Sequence, residues 1–145
     1  MNKTIYLTGY EKETVDEFIE KLKKHGVTVL VDVRQYPLSR KYGFSKNILQ
    51  EYLEKVGIQY QHVSELGSPK LMRDELRQEG DYITFFCKYR AYIKHKHFEV
   101  QKIVDLTQVE TICVMCFEKD CELCHRTILA DEIQKIVPNV IILAI

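Results

Sequence analysis

The order of apolar and polar positions along the chain predicts strands and helices in alternation. Residues 4–8 form a short β-favouring run, and residues 14–26 carry apolar side chains at helical spacing between a capping-box pattern and a glycine. Residues 27–33 are almost wholly apolar and β-branched, which is typical of a strand covered on both faces. This beginning therefore indicates a parallel sheet flanked by helices.

The rest of the chain continues the alternation. Its segments are predicted in turn as helix, short strand, mostly helical stretch, buried strand, helix and final buried strand, over residues 45–57, 58–63, 71–106, 111–117, 121–137 and 139–145. The helical stretch is interrupted at Gly80, with Asp81 as the expected cap of its second part. We therefore expect an α/β fold, a single domain over residues 1–145 built as a three-layer sandwich. Its mostly parallel sheet has about five strands, with helices on both faces.

Composition changes this picture little but excludes some classes of protein. Hydrophobic residues make up 46% of the chain and charged residues 29%, and 21 basic side chains balance 21 acidic ones. The balance excludes a protein that coats nucleic acid through bulk charge, although a local basic patch can still bind phosphates. No signal peptide is recognisable and no apolar run approaches the roughly 18 residues of a membrane span. We expect a cytoplasmic protein without membrane contact.

Charged residues at the end of the second predicted strand point to a site there, because ligands of such sheets bind beyond the carboxyl ends of the strands. Asp32 and Arg34 alternate around Val33, so both side chains can point the same way, and charges in an apolar run are costly unless paired or used. Basic, hydroxyl and aromatic side chains are interleaved over residues 36–46. That mixture suits nucleotides or single-stranded nucleic acid, and a solvated basic loop is the plainer alternative.

The stretch CFEKDCELCHR, residues 116–126, allows three kinds of chemistry. A zinc site is disfavoured because the adjacent Cys124 and His125 would leave a helix about 100° apart. Thiol chemistry is suggested by the C-x-x-C spacing of Cys121 and Cys124 at a predicted helix start. The odd number of five cysteines indicates reduced thiols and not a disulfide framework.

The third possibility for this stretch is a polar pocket. A loop between a strand and a helix presents free backbone N–H groups to an anion, and Arg126 adds a guanidinium suited to phosphate or carboxylate. Glu118 and His125 would then act as an acid/base pair. An ion pair that only fastens the loop remains the alternative. If residues 32–34 and 118–126 meet at one edge of the sheet, they form a charged pocket.

Separate segments in the same order give the chain a resemblance to a known family. A Thr-Gly-Tyr start, Asp-Val-Arg followed by Pro and Ser, Tyr-x-His with Leu-Gly, and Cys-x-Glu leading to Cys-His-Arg resemble the domain of unknown function 488 family over essentially the whole chain. The matching positions are Gly9, Tyr10, Asp32, Arg34, Pro37, Ser39, Tyr60, His62, Leu66, Gly67, Cys116, Glu118, Cys124, His125 and Arg126. Cys121 stands where the family more often has proline, which weakens the thiol and zinc interpretations.

Two hypotheses of different class follow. The first is an enzyme, a hydrolase or transferase, that acts on a phosphate-bearing small molecule or a nucleic acid. The alternative is a non-catalytic module that binds a nucleotide or nucleic acid. The predicted catalytic residues are Asp32, Glu118 and His125, the anion-binding residues are Arg34, Ser39, Arg126 and Tyr10, and the residues that shape the pocket are Gly9, Cys116, Cys124 and His62. We expect no cofactor and no bound metal, with zinc as a minor alternative.

Overall fold

The structure of the protein is a computed structural model, of which residues 3–116 and 125–145 are described. Its strands in chain order are β1 Thr4–Gly9, β2 Val29–Asp32, β3 Gln59–His62, β4 Ile112–Cys116 and β5 Ile141–Ala144. Its α-helices are α1 Val15–Lys24, α2 Lys46–Lys55, α3 Lys70–Glu79, α4 Tyr82–Ile93, α5 His97–Thr107 and α6 Arg126–Ile136. A short 3₁₀ turn, Ser64–Leu66, follows β3.

The five strands form a single sheet in which every pair is parallel, in the spatial order β3-β2-β4-β1-β5. The register aligns Asp32 with His62 on one side and with Met115 on the other. It also aligns Gly9 with Cys116. Because the strands are parallel, all of their carboxyl ends meet at one edge of the sheet, and the predicted α/β architecture is confirmed.

Helices cover the sheet on both faces, as the apolar runs of the strands require. Successive residues of β2 divide between the two layers: Leu30 packs with side chains of α1 and α2, whereas Val29 and Val31 pack with side chains of α4, α5 and α6. The neighbouring strands β2 and β4 are therefore followed by helices on opposite faces, α2 and α6. Such a pair of strands leaves a crevice at the carboxyl edge, where α/β proteins bind their ligands.

Two predicted segments need correction, and part of a third lies outside the described residues. The helical stretch contains a second break at residues 94–96, where backbone turns from His95 N–H to the Tyr92 carbonyl and from Lys96 N–H to the Ile93 carbonyl separate α4 from α5. The last strand is not buried, because β5 lies at the sheet edge with Ile141 41% and Leu143 47% exposed. The final helix begins at Arg126 in the described part of the chain, so its predicted start at residue 121 lies outside the described residues. None of the described helices is long and apolar enough to cross a membrane.

Candidate functional site

An ion pair lies at the carboxyl end of β2, where the sequence places Asp32 and Arg34. The Arg34 guanidinium donates to both carboxylate oxygens of Asp32, from Nε at 2.9 and 3.1 Å and from Nη2 at 2.7 Å, and the Arg34 backbone N–H adds a bond of 3.0 Å. Asp32 is fully buried and Arg34 is 7% exposed. The pair is the bidentate arrangement that compensates two buried charges.

The remaining donors of Arg34 hold the loops around it in place. Its Nη1 donates to the Tyr10 hydroxyl at 3.1 Å and to the Phe44 carbonyl at 2.7 Å, and the Tyr10 and Phe44 rings stack with centroids 4.4 Å apart. Burial by itself would lower the pKa of the Arg34 guanidinium, but the hydrogen bonds and charge of Asp32, with a smaller contribution from Tyr10, raise it above its ordinary value. Arg34 is therefore a fixed, permanently charged group.

Two side chains from the neighbouring strand β3 complete this network. The Tyr60 hydroxyl donates to Asp32 Oδ2 at 2.5 Å, and His62 Nε2 lies 2.7 Å from the Arg34 carbonyl oxygen. Burial and the negative charge of Asp32 raise the pKa of the Tyr60 hydroxyl, although Arg34 acts against them. Tyr60 therefore stays protonated and acts as a hydrogen-bond donor.

The loop after β3 packs closely on the loop after β2. A Cβ atom added to Gly67 would lie 2.5 Å from the Gln35 backbone nitrogen and 2.7 Å from the Val33 carbonyl oxygen, so only glycine fits this contact. The Tyr89 hydroxyl of α4, which is buried, donates to the Leu66 carbonyl at 2.6 Å and fixes the loop from behind. Helix α4 thereby supports the position of Arg34 through two backbone segments.

These loops enclose a cleft at the carboxyl edge of the sheet, with a cavity volume of about 560 Å³. We call it the carboxyl-edge cleft. Its described lining residues are Tyr10, Arg34, Gln35, Tyr36, Leu38, Ser39, Arg40, Ser68, Arg73, Leu76, Arg77, Gly80, Tyr82, Phe85, Cys116 and His125. They include four arginines and, within the described part of the chain, neither an aspartate nor a glutamate. Positive charge and aromatic rings therefore dominate its wall.

Helix α3 contributes an edge of the cleft that sequence reasoning missed. Arg73, Leu76, Arg77 and Gly80 are spaced i, i+3, i+4 and i+7, so they share one face of the helix, and all four line the cleft. That spacing was the available signal, but a helix with no buried residue resembles an ordinary solvated surface helix in a sequence. Arg73 Nη2 donates to Gln35 Oε1 at 2.9 Å, and its guanidinium lies over the Tyr36 ring at 5.6 Å from the centroid.

His125 and Cys116 bring the last loop to the same cleft. His125 is 7% exposed, its ring lies 4.9 Å from that of Tyr89 in an edge-to-face contact, and it lines the cleft with Arg34. Burial lowers the pKa of its imidazole to about 3, with the charges of Arg126 and Arg73 acting in the same direction and a hydrogen bond with the Val33 backbone acting against them. The imidazole is therefore neutral near neutral pH.

The predicted site residues thus fall into three groups. Tyr10, Arg34, Ser39, Cys116 and His125 line the cleft together. Asp32, Gly9, His62 and Arg126 are not among the described residues that line it, and Asp32 and Arg126 are fully buried. Glu118 and Cys124 lie outside the described residues. Of the residues 32–34 and 118–126 that are expected to converge, Arg34 and His125 line the same cleft, whereas residues 118–124 lie outside the described residues.

The position of Asp32 bears on its predicted role as a base. Both of its oxygens are engaged by Arg34, one of them also by Tyr60, and the carboxylate has no exposed surface. A general base must reach the proton that it removes. The geometry favours Asp32 as a residue that positions Arg34.

The described cysteines divide between free thiols and a bonded one. Cys87 and Cys113 are free, whereas Cys116 is disulfide-bonded, so the expectation of reduced thiols is wrong for Cys116. Burial raises the pKa of the Cys113 thiol to about 12, which leaves it protonated and unreactive. Residues 3–116 and 125–145 contain no group of three or more His, Cys, Asp or Glu side chains that could hold a metal ion.

The fold and the cleft define a class of protein: a parallel α/β sandwich with an arginine-rich, aromatic cleft at the switch in helix direction between β2 and β4. More particularly, the chain belongs to the family described as Domain of unknown function DUF488, whose model matches residues 14–133. No curated protein and no solved structure matches the chain.

Proposed function

We propose that the carboxyl-edge cleft binds a phosphate-bearing ligand, a small molecule or the phosphate of a nucleic acid. The observation that carries this proposal is the charge of the described lining, with four arginines and no carboxylate. Each charge-assisted hydrogen bond to a bound oxyanion contributes roughly 1.5–3 kcal/mol. The volume of about 560 Å³ falls within the roughly 300–1,000 Å³ of sites that enclose a small ligand.

The arginines of the cleft differ in whether their guanidinium groups are available to bind an anion. Arg34 is buried, is hydrogen-bonded to Asp32, Tyr10 and Phe44, and serves as part of the wall. Arg40 and Arg77 are exposed, and Arg77 Nη1 lies 3.7 Å from Asp74, a loose surface contact that an oxyanion can replace. Arg40 and Arg77 are therefore the side chains expected to bind the phosphate.

Hydroxyl groups in the same wall add neutral donors. Ser68 is 3% exposed and lines the cleft, and its hydroxyl makes no hydrogen bond with the other described residues. Ser39 Oγ accepts from the Lys41 N–H at 3.1 Å, which leaves its own proton for donation. Hydroxyl donors beside guanidinium groups are a common arrangement for phosphate oxygens.

Catalysis is the second candidate, favoured by one observation. His125 faces the cleft as a neutral imidazole with a strongly lowered pKa, and perturbed titratable groups in a cleft are characteristic of active sites. A neutral imidazole can accept a hydrogen bond from a water molecule or a hydroxyl group and orient it, whereas a pKa of about 3 makes it a weak base. Hydrolysis or transfer of the phosphate group would then use His125 to position the attacking oxygen, with Glu118 as the predicted acid/base residue.

The binding proposal is tested by calorimetric titration with ribose 5-phosphate, nucleoside monophosphates and short oligonucleotides. We expect binding that weakens by about tenfold in each of Arg40→Gln and Arg77→Gln, since about 1.4 kcal/mol corresponds to tenfold. The charge-matched control is Lys102→Gln, an exposed cation of α5 away from the cleft. Absence of binding to every phosphate compound, or equal weakening in the control, would overturn the proposal.

Glu118→Gln separates the two candidates. Loss of turnover with binding retained supports an enzyme, whereas binding that depends on salt without turnover in the wild-type protein supports a binding module. His125→Gln is the companion variant, because it removes the imidazole and leaves the arginines in place.

A further inference from the structure

The structure points to the chemical class of the ligand: we propose that the cleft takes a nucleotide, whose flat base stacks on the open face of Tyr36. This inference rests on the proposed function, since it names the ligand of the same cleft. It depends on the environment of one aromatic side chain in the loop after β2.

Tyr36 is built as a supported platform. The Arg73 guanidinium lies over its ring, 5.6 Å from the centroid, while the side chain as a whole remains 56% exposed. Because Arg73 belongs to α3, the ring is supported by a helix as well as by its own loop. A hydrogen bond of 2.9 Å from Arg73 to Gln35 holds the guanidinium in this position. A tyrosine with one face covered by a guanidinium and the residue still half-exposed to a cleft suits a stacked base.

The supporting arginine also carries an unused donor. Arg73 Nε is buried and has no hydrogen-bond partner among the described residues, a state that costs free energy. Arg73 therefore connects the stacking surface to the charged part of the cleft.

Apolar surface in the same cleft indicates that the ligand is not a bare phosphate or sugar phosphate. Leu76 of α3 and Tyr82 and Phe85 of α4 line the cleft together with Tyr36. Inorganic phosphate would leave this apolar wall without a contact, whereas a heteroaromatic base would cover it. The phosphate, which the sugar joins to the base, would then bind the arginines. A nucleotide is the class of ligand that matches both the apolar surface and the arginines of the cleft.

The experiment compares nucleoside monophosphates with ribose 5-phosphate, which has the same phosphate and sugar without the base. Stacking on an aromatic side chain typically changes affinity by roughly 5- to 150-fold, so we expect at least one of the four nucleotides to bind tighter by such a factor. Tyr36→Ala should abolish this preference and leave ribose 5-phosphate binding unchanged. Tyr36→Phe, which keeps the ring, should retain the preference.

Tyr42→Ala is the matched control. Tyr42 belongs to the same loop and is 72% exposed, but its hydroxyl pairs with that of Tyr52 and it is not among the described residues that line the cleft. The preference for nucleotides should persist in this variant. Its loss there, or its persistence in Tyr36→Ala, would overturn the assignment to Tyr36.

The two proposals fail in different ways. Ribose 5-phosphate binding as tightly as all four nucleotides would overturn the base platform and leave the phosphate site intact. Binding of neither kind of compound would overturn both. Because Tyr36 is exposed, its substitution is expected to leave the midpoint of thermal unfolding nearly unchanged, so a loss of preference cannot be ascribed to misfolding.

Discussion

At the scale of single residues, the buried pair of Asp32 and Arg34 organises the candidate site. The sequence indicates that two charges flank Val33 in an apolar run and must be paired or used. It does not indicate that they pair with each other, because that depends on Tyr10, Phe44 and Tyr60, which come from three other segments. The carboxylate is thereby withdrawn from the cleft, and the guanidinium becomes a fixed part of its wall.

Asp32→Asn tests this pair. Removal of one partner leaves the Arg34 charge buried and uncompensated, which typically costs about 3–5 kcal/mol of the free energy of unfolding. The measurement is urea unfolding at pH 7. The control is Asp74→Asn, which removes the carboxylate of the exposed Lys70 pair and is expected to cost less than about 1 kcal/mol. A cost for Asp32→Asn as small as that of the control would show that the buried pair contributes little to stability.

His125 predicts a pH dependence of stability. Its pKa is lowered to about 3 in the folded protein from an ordinary value of about 6.5, so below pH 6.5 the unfolded chain binds a proton that the folded protein does not. The contribution of His125 to stability is therefore complete above about pH 6.5. It is lost as the pH falls towards 3, by at most about 1.4 kcal/mol per pH unit.

The measurement for this residue is the difference in free energy of unfolding between the wild type and His125→Gln from pH 7 to pH 4. The groups facing His125 include Arg126, Arg73 and Tyr89, and they remain in both proteins. We expect the difference to shift in favour of the variant as the pH falls. His95→Gln, which removes an exposed histidine, controls for loss of a histidine as such. A difference that stays constant over this range would contradict the prediction.

At the scale of elements, the strands and most helix ends were predictable because they have local signals. Thr14 and Glu17 form the expected capping box, with reciprocal hydrogen bonds of 3.1 Å, and Asp81 caps α4 through the Thr84 N–H at 3.1 Å. The break between α4 and α5 has no such signal, since residues 94–96 include neither glycine nor proline. The exposure of β5 follows from strand order, which a single segment does not encode.

Gly67→Ala tests the contact between the loops after β2 and β3. The φ angle of Gly67 is −72°, which any residue adopts, so the expected cost is steric and not conformational. A methyl group 2.5 Å from the Gln35 nitrogen must displace that loop, at about 1–3 kcal/mol of stability. The displacement moves Gln35 and Arg34, so phosphate binding should weaken as well.

Gly26→Ala is the control for this substitution. At φ +70° with no atom within 4 Å of an added Cβ, it costs roughly 1–2 kcal/mol of backbone strain without touching the cleft. Calorimetric titration of both variants with ribose 5-phosphate separates the effects, since only Gly67→Ala should lose affinity. Equal affinity in the two variants would show that the loop contact does not position the cleft.

At the scale of the whole molecule, the topology explains why distant segments form one cleft. Residues 32–34 and His125 are separated by about ninety positions in the chain, yet β2 and β4 are neighbours with helices leaving to opposite faces. An alternation of strands and helices predicts such a crevice in general. It does not predict that α3 closes one side of it, because the stretch between β3 and β4 has no pattern that fixes where α3 packs. The spacing of Arg73 and Arg77 therefore indicates a shared helix face, but not that this face lines the cleft.

The neutral balance of the whole chain predicts how binding responds to ligand length and salt. The 21 basic and 21 acidic side chains leave no net charge, so positive potential is local to the cleft. For a single strand, the slope of log affinity against log salt is about −0.7 for each phosphate neutralised. We consider a series of 5′-phosphorylated oligonucleotides from one to eight nucleotides long. We expect the affinity, and the slope of log affinity against log salt, to stop increasing beyond a length of one or two nucleotides. A slope that grows steadily with length would instead identify an extended nucleic-acid surface, and the nucleotide-sized cleft would be only one part of it.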